Sequence, residues 1–186
     1  MQTKKYYINS NKKFAYKEFS KILRNLINKN YKKEKYDIIS IICIGSDRVI
    51  GDSLGPMVGY KLNNIAYPNV YIYGTLSSPV HAKNLNQYID KLKNTFVIAV
   101  DASVGIDEHI GYVVIEEGGI LPGAGVDKVL PEVGDISITG IVNSSGESVF
   151  LELQNTRLNV VMKMADIIST GIKMAFWNLG RQLWED

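Results

Sequence analysis

The chain has 186 residues, a net charge of +2 and a single cysteine, and these properties exclude several classes of protein. The length suits one domain of about 100–200 residues, which can bury a sufficient core without disulfide staples. The small net charge does not indicate a nucleic-acid partner, and no run approaches the roughly 20 apolar residues that span a membrane. Cys43 lies in an apolar run and Met1–Tyr7 contains no apolar signal segment, so we expect a reducing intracellular compartment.

The first part of the chain is predicted to form a helix, a buried strand and a second helix. Apolar residues at spacings of three and four predict an amphipathic helix over 14–28. The segment Asp37–Ile44 is apolar on both faces, which is typical of a parallel strand covered by helices. The next helix is expected to begin near Ser53 or Leu54, because Pro56 suits a first helical turn, where its missing N–H costs nothing.

Two further strands are predicted on either side of a helix. The strands are Val70–Tyr73 and Phe96–Val100, and the helix between them covers about 80–93. Alternation of strands and helices is the pattern of a doubly wound α/β sheet. The sequence therefore predicts a single three-layer αβα domain over residues 1–186, with a mainly parallel sheet.

The second half of the chain is less regular. Strands are predicted at Gly111–Glu117 and Ile136–Val142, and a new element is expected near Val149–Leu153. Between the two strands, Gly118–Gly134 is rich in Gly, Pro and acidic residues and is predicted to be a long loop, a feature that is often functional. An apolar stripe predicts a closing helix over Asn159–Phe176.

Two aspartates follow predicted strands and form the main functional signal. Asp52 lies in the loop after the first strong strand, and Asp101 directly follows Val100. Ligands of open parallel sheets bind in the crevice at the carboxyl ends of the strands, where two carboxylates can form a general acid/base or metal site. The alternatives are a helix N-cap for Asp52 and a satisfied loop carboxylate for Asp101.

Other polar residues near these strand ends are candidates for substrate binding. They are Asp47, Ser77, Ser78, His81 and Ser103. The alternative for Asp47 is a loop charge paired with Arg48, and the serines could instead cap their loops. The glycines around Asp52 lack the G-x-G-x-x-G spacing, and there is no phosphate-binding loop, so no nucleotide cofactor is expected.

Several segments of the chain resemble known families. Gly51–Pro56, which reads Gly-Asp-Ser-Leu-Gly-Pro, closely resembles one aspartate segment of the germination protease of spore-forming bacteria, and Val97–Ala102 resembles that family's second aspartate segment. Across nearly its full length the chain is still more similar to the YyaC-type sporulation proteins. Residues 77–82, 124–126 and 138–148 contribute to that resemblance.

The resemblance implies a phosphorylase/hydrolase-like α/β fold, shared with the hydrogenase-maturation endopeptidases. It also implies that Asp52 and Asp101 are catalytic, because they match the proposed catalytic pair of the germination protease. The maturation endopeptidases bind nickel with a histidine in a segment near Ile136–Gly140. In this chain Ser137-Ile138-Thr139 contains no histidine, so we expect no bound metal and no cofactor.

Together, these observations predict an intracellular peptidase-like hydrolase of sporulation or germination. One ionised carboxylate would activate water while a protonated partner assists. The expected partner is a peptide or small spore protein in the cytoplasm of the forespore or mother cell, with no nucleic acid and no membrane. The alternative is a non-catalytic spore protein of the same fold that binds a peptide or protein segment through Gly118–Gly134.

Overall fold

A mixed sheet forms the centre of the protein. The structure is a computed structural model that describes residues 4–65, 67–122 and 131–183. Six strands within these residues form the sheet: β1 Lys5–Asn9, β2 Ile39–Cys43, β3 Val70–Tyr73, β4 Phe96–Gly105, β5 Tyr112–Glu117 and β6 Ile136–Ser144. The helices are α1 Ala15–Asn30, α2 Leu54–Leu62, α3 Asn86–Leu92, α4 Val149–Gln154 and α5 Leu158–Leu183, with short 3-10 turns at Gly51–Ser53 and Asp107–His109.

The strand order is β1-β5-β6-β4-β2-β3. The four strands β6, β4, β2 and β3 are parallel, whereas β5 pairs antiparallel with β6 and β1 pairs antiparallel with β5. The prediction of a mainly parallel α/β sheet is therefore confirmed. The predicted strand at Val70–Tyr73 has the same bounds in the structure.

Alternate residues of the central strands contribute to two separate cores, one on each face of the sheet. Ile41 and Val100 belong to the larger core, which includes apolar residues of α1, α2 and α5. Ile42 and Ala99 belong to the smaller core, which includes residues of α3. This arrangement is the predicted three-layer order, and it leaves the carboxyl ends of β2 and β4 at one edge.

Helix α2 lies unusually close to the sheet because two of its residues are glycines. A Cβ atom at Gly55 would collide with the backbone carbonyl of Ile44, and one at Gly59 would collide with the carbonyl of Gly74. Only a residue without a side chain permits this backbone-to-backbone approach. The contact fixes the turn before α2 directly above the end of β2.

The structure differs from the predicted helix over 80–93. That helix begins only at Asn86, because Val80 forms a parallel bridge with Ile44 and accepts a hydrogen bond from the N–H of Gly45 at 2.8 Å. The first residues of the predicted helix are therefore extended rather than helical, because pairing with the end of β2 prevails over their helical periodicity. The extended segment ends at His81, beside the loop that follows β2.

Several other bounds also differ from the predictions. β4 continues to Gly105, because its pairing with β6 runs beyond the end of β2. The predicted loop Gly118–Gly134 contains a bridge between Ile120 and Val133, and its residues 123–130 lie outside the described residues. In the part of the chain that the structure describes, no helix is long and apolar enough to cross a membrane.

Candidate active site

A cleft of about 1120 Å³ opens at the carboxyl end of the parallel strands. Its floor is formed by the loop after β2, by the outer part of β4 and by the segment that leads into α3. Both predicted catalytic residues, Asp52 and Asp101, line it. The sequence expectation that the two carboxylates share one crevice therefore agrees with the geometry.

Asp101 lies on β4, immediately after the last residue that pairs with β2. Its Oδ1 accepts a hydrogen bond from the N–H of Ala102 at 2.8 Å. Burial, followed by the negative charge of Asp52, raises the pKa of Asp101 well above the ordinary 3.8, and the Ala102 N–H only partly opposes this. The strand thus holds a carboxyl group that favours its protonated form.

Asp52 lies in the 3-10 turn that precedes α2. No side chain caps either the turn or the helix, so the N-cap interpretation of Asp52 is wrong. Burial raises the pKa of Asp52, whereas the backbone N–H of Ser46 and the nearby His81 lower it. Asp52 therefore has groups around it that stabilise its ionised form.

The two carboxyl groups interact and cannot both ionise freely, because like charges in a buried site repel. Asp101 has the stronger reason to remain protonated, since the charge of Asp52 acts on it in addition to burial. Asp52 is the member stabilised by a histidine and a backbone N–H. The pKa shifts favour Asp52 as the ionised member of the pair and Asp101 as the protonated member, although the titration belongs to both.

His81 lines the cleft near Asp52. Its backbone N–H donates to the side-chain oxygen of Asn84 at 2.8 Å, which fixes the loop. Its ring Nδ1 is fully buried and has no hydrogen-bond partner within the described residues. An unsatisfied buried nitrogen costs stability unless something else uses it, so His81 is a strong candidate for contact with a ligand or a bound water.

The other predicted binding residues divide into two groups. Asp47 and Ser103 line the cleft, and the hydroxyl of Ser103 donates to the carbonyl of Val104 at 3.0 Å. Ser77 and Ser78 are exposed and do not belong to the cleft lining. Their interactions are local, because the hydroxyl of Thr75 contacts that of Ser77 at 3.1 Å and accepts from the N–H of Ser78 at 3.2 Å. The prediction that these two serines bind substrate is therefore corrected in favour of turn stabilisation.

Apolar walls of the cleft were not anticipated from the sequence. Val149 and Phe150 of α4 form one wall, and Ile120 and Leu121 form another. Phe150 is 49% exposed and Leu121 is 72% exposed, although both are large and apolar. Exposed apolar groups beside a cleft often mark a binding surface. A signal existed in the apolar run Val149–Leu153, but nothing local indicated which face of it would remain open.

The donors in this cleft do not fit a resident transition metal. Among residues 4–65, 67–122 and 131–183, no group of three His, Cys, Asp or Glu side chains is close enough to hold a metal ion. Thr139, rather than a histidine, lies opposite Asp101 on β6. His81 lies near Asp52, but it does not complete such a group, and two carboxylates make a weak and unselective set of ligands for nickel or zinc.

The fold is that of the hydrogenase maturation proteases, which are phosphorylase/hydrolase-like α/β proteins. The chain is similar to the NiFe hydrogenase maturation protease HycI from Thermococcus kodakarensis KOD1, with a TM-score of 0.55 and 18% identity over 83% of this chain and 98% of that one. It is also similar to the hydrogenase maturating endopeptidase HybD from E. coli, with a TM-score of 0.53 and 16% identity over 77% of this chain and 94% of that one.

The chain belongs to the family described as protein of unknown function DUF1256, whose model matches residues 7–171. It is 46% identical over 159 residues to the uncharacterized protein YyaC of Bacillus subtilis (strain 168), an alignment that covers 83% of this chain and 78% of that protein. The resemblance to YyaC-type proteins expected from the sequence is therefore confirmed.

Proposed function

We propose that the protein is a peptidase-like hydrolase in which Asp52 and Asp101 activate water against a peptide bond. The observation that carries the proposal is the interaction of these two carboxyl groups in one cleft, where the charge of Asp52 raises the pKa of Asp101. Perturbed carboxyl groups in a large cleft are typical of acid/base sites. The shared fold of the maturation proteases supports a peptide as substrate.

The proposed reaction uses both protonation states of the pair. Ionised Asp52 takes a proton from water as the water oxygen bonds to the carbonyl carbon. Protonated Asp101 first donates a hydrogen bond to the carbonyl oxygen and then gives its proton to the amine nitrogen as the C–N bond breaks. The products are a carboxylic acid and an amine, and proton exchange with solvent restores the starting states.

We further propose that the reaction takes place during sporulation or germination, in the cytoplasm of the forespore or mother cell. The basis is the resemblance of Gly51–Pro56 and Val97–Ala102 to the aspartate segments of the germination protease. A small spore protein is then the natural substrate, since short flexible chains can enter a cleft that a folded protein cannot.

The test is to incubate the purified protein with small acid-soluble spore proteins and to follow their cleavage. We expect Asp52→Asn and Asp101→Asn each to lower turnover by about 10²–10⁴-fold while the protein stays folded. Asp107→Asn is the matched control, because Asp107 is exposed and does not line the cleft. Near-normal cleavage by either folded variant of the pair would refute the mechanism. Binding without any turnover by the wild type would favour the non-catalytic peptide-binding function instead.

A further inference from the structure

Strand β4 has an open edge inside the cleft. Its pairing with β2 ends at Val100, whereas its pairing with β6 continues to Gly105. Five residues, Asp101–Gly105, therefore extend beyond the end of β2, and among the described residues they have a paired strand on one side only. At roughly 3.3 Å per residue this edge is about 16 Å long, and four of its residues line the cleft.

Backbone groups on this edge point towards the cleft. The carbonyl of Val100 accepts from the N–H of Ile44, so the backbone groups of Val100 face the β2 side. Alternate residues of a strand present their backbone groups to the same edge, and those of Ala102 therefore face that side as well. The pairing with β6 shifts in register between Ser103 and Val104 because β6 has one extra residue there, so the alternation along β4 continues to Val104. The carbonyl of Gly105 accepts from Ser145 on the opposite side, which agrees with this alternation.

Two of these groups are available for a ligand. The N–H of Ala102 already donates to Asp101, and the carbonyl of Val104 accepts from the hydroxyl of Ser103. The carbonyl of Ala102 and the N–H of Val104 form no hydrogen bond with a loop or turn among the described residues. An open strand edge is a template for pairing with another extended chain. Here the template starts one residue after Asp101.

The apolar walls lie on opposite sides of the same edge. Val149 packs against the larger core and Ile120 packs against the smaller core, and these two cores cover opposite faces of the sheet. Successive side chains of an extended peptide also point to opposite faces. A strand added to β4 would therefore direct alternate side chains towards Phe150 and towards Leu121, both of which are exposed.

We infer that the substrate binds as an extended peptide that adds a strand to the open edge of β4, with its backbone bonded to Ala102 and Val104 and its alternate side chains against the two apolar walls. This inference rests on the proposed function and specifies its substrate as an unfolded segment. Recognition is mainly through main-chain groups, with apolar side chains preferred on both sides. The peptide bond next to Asp101 is then the one presented to the aspartate pair.

The test measures binding in the Asp52→Asn variant, so that cleavage does not interfere. The probes are a small acid-soluble spore protein and, in parallel, short capped peptides of degenerate sequence. We expect hydrogen exchange at the Val104 amide to slow on binding, while the Ala102 amide changes little because it is already bonded. Amides on the outer edge of β3 should not change, since β3 is also an edge strand but lies outside the cleft.

A substitution pair separates the main chain from the side chain. In the same background, Val104→Pro removes the open N–H, and proline is tolerated at a strand edge. Val104→Ala shortens the side chain but keeps the N–H. We expect the proline variant to bind peptide about 2–10-fold more weakly than the alanine variant, which corresponds to one net hydrogen bond.

The outcomes distinguish the inference from the proposed function. Slowed exchange at Val104 without cleavage by the wild type would support the edge site and remove the hydrolase proposal. Cleavage without any slowing at Val104 would overturn the edge site and leave the hydrolase intact. No slowing with either probe, or a Val104 amide already protected in the free protein, would also overturn the inference, because the edge would then be unused or occupied.

Discussion

Replacing Asp101 by asparagine tests whether the cleft keeps the Asp101 carboxyl protonated and whether this lowers the free energy of unfolding at neutral pH. In the folded protein, burial and the charge of Asp52 raise the pKa of this carboxyl well above 3.8. In the unfolded chain the same group ionises near its ordinary pKa. The folded state therefore binds more protons than the unfolded state above about pH 4, and the free energy of unfolding falls as the pH rises towards the raised native pKa.

Asparagine preserves the shape of the side chain and an acceptor for the N–H of Ala102, but it cannot ionise. One pKa unit corresponds to about 1.4 kcal/mol, so we expect Asp101→Asn to increase the free energy of unfolding at neutral pH by at least about 1 kcal/mol. For a chain of this size, that is a rise in Tm of roughly 2–4 °C. The variant should gain stability while it loses turnover.

Urea unfolding followed by circular dichroism, at neutral pH and below about pH 3, measures the effect. The gain should disappear below about pH 3, where the wild-type carboxyl is protonated in both the folded and the unfolded state. Asp47→Asn should change the free energy of unfolding by less than about 0.5 kcal/mol, because Asp47 is exposed. An Asp101→Asn variant that is less stable than the wild type at neutral pH, or whose gain persists in acid, would refute the reasoning.

Three other perturbations follow from the same site. His81→Ala should raise the pKa of Asp52, because His81 lowers it; the acidic limb of the pH–rate profile should then move to higher pH, and an unmoved limb would contradict the role. Gly55→Ala should lower the free energy of unfolding by about 1–3 kcal/mol, because the added methyl group collides with the carbonyl of Ile44. Thermal unfolding measures the effect, and Tyr60→Ala, on the exposed side of α2, is the control. A chelator should leave both Tm and turnover unchanged, since the described side chains provide no three-ligand metal group; a loss of turnover that nickel or zinc restores would contradict this.

Hydrophobic periodicity predicted the helices and strands in which the pattern of apolar side chains reflects which faces are buried. The apolar stripe predicted over 14–28 corresponds to α1, and the run at Asp37–Ile44, apolar on both faces, corresponds to β2. Both could be predicted because a helix with one solvent-exposed face and a strand buried on both faces have distinct sequence patterns. β1 gave no such signal. Its residues alternate only partly, and they are a strand because they pair with β5, more than a hundred residues away.

Some residues of the candidate site could be predicted from the sequence, and others could not. Asp101 directly follows an apolar strand and Asp52 lies in the loop after another, and both could be selected from the sequence because ligands bind at the carboxyl ends of parallel strands. Ser77 and Ser78 satisfied the same rule but point elsewhere, because their turn bonds internally through Thr75. Position after a strand predicts nearness to the crevice, but not the direction of a side chain.

The sequence by itself determined the α/β class and the order of the central elements, and it indicated the two candidate carboxyl groups, since these depend on patterns that are local in the chain. Only the tertiary structure showed which carboxyl more strongly favours its protonated form, because the pKa of each depends on its burial and on the groups that surround it. The tertiary structure also decided that β4 extends beyond the end of β2 and exposes a strand edge beside Asp101. Pairing length is a property of two strands together, and neither strand's sequence contains it alone.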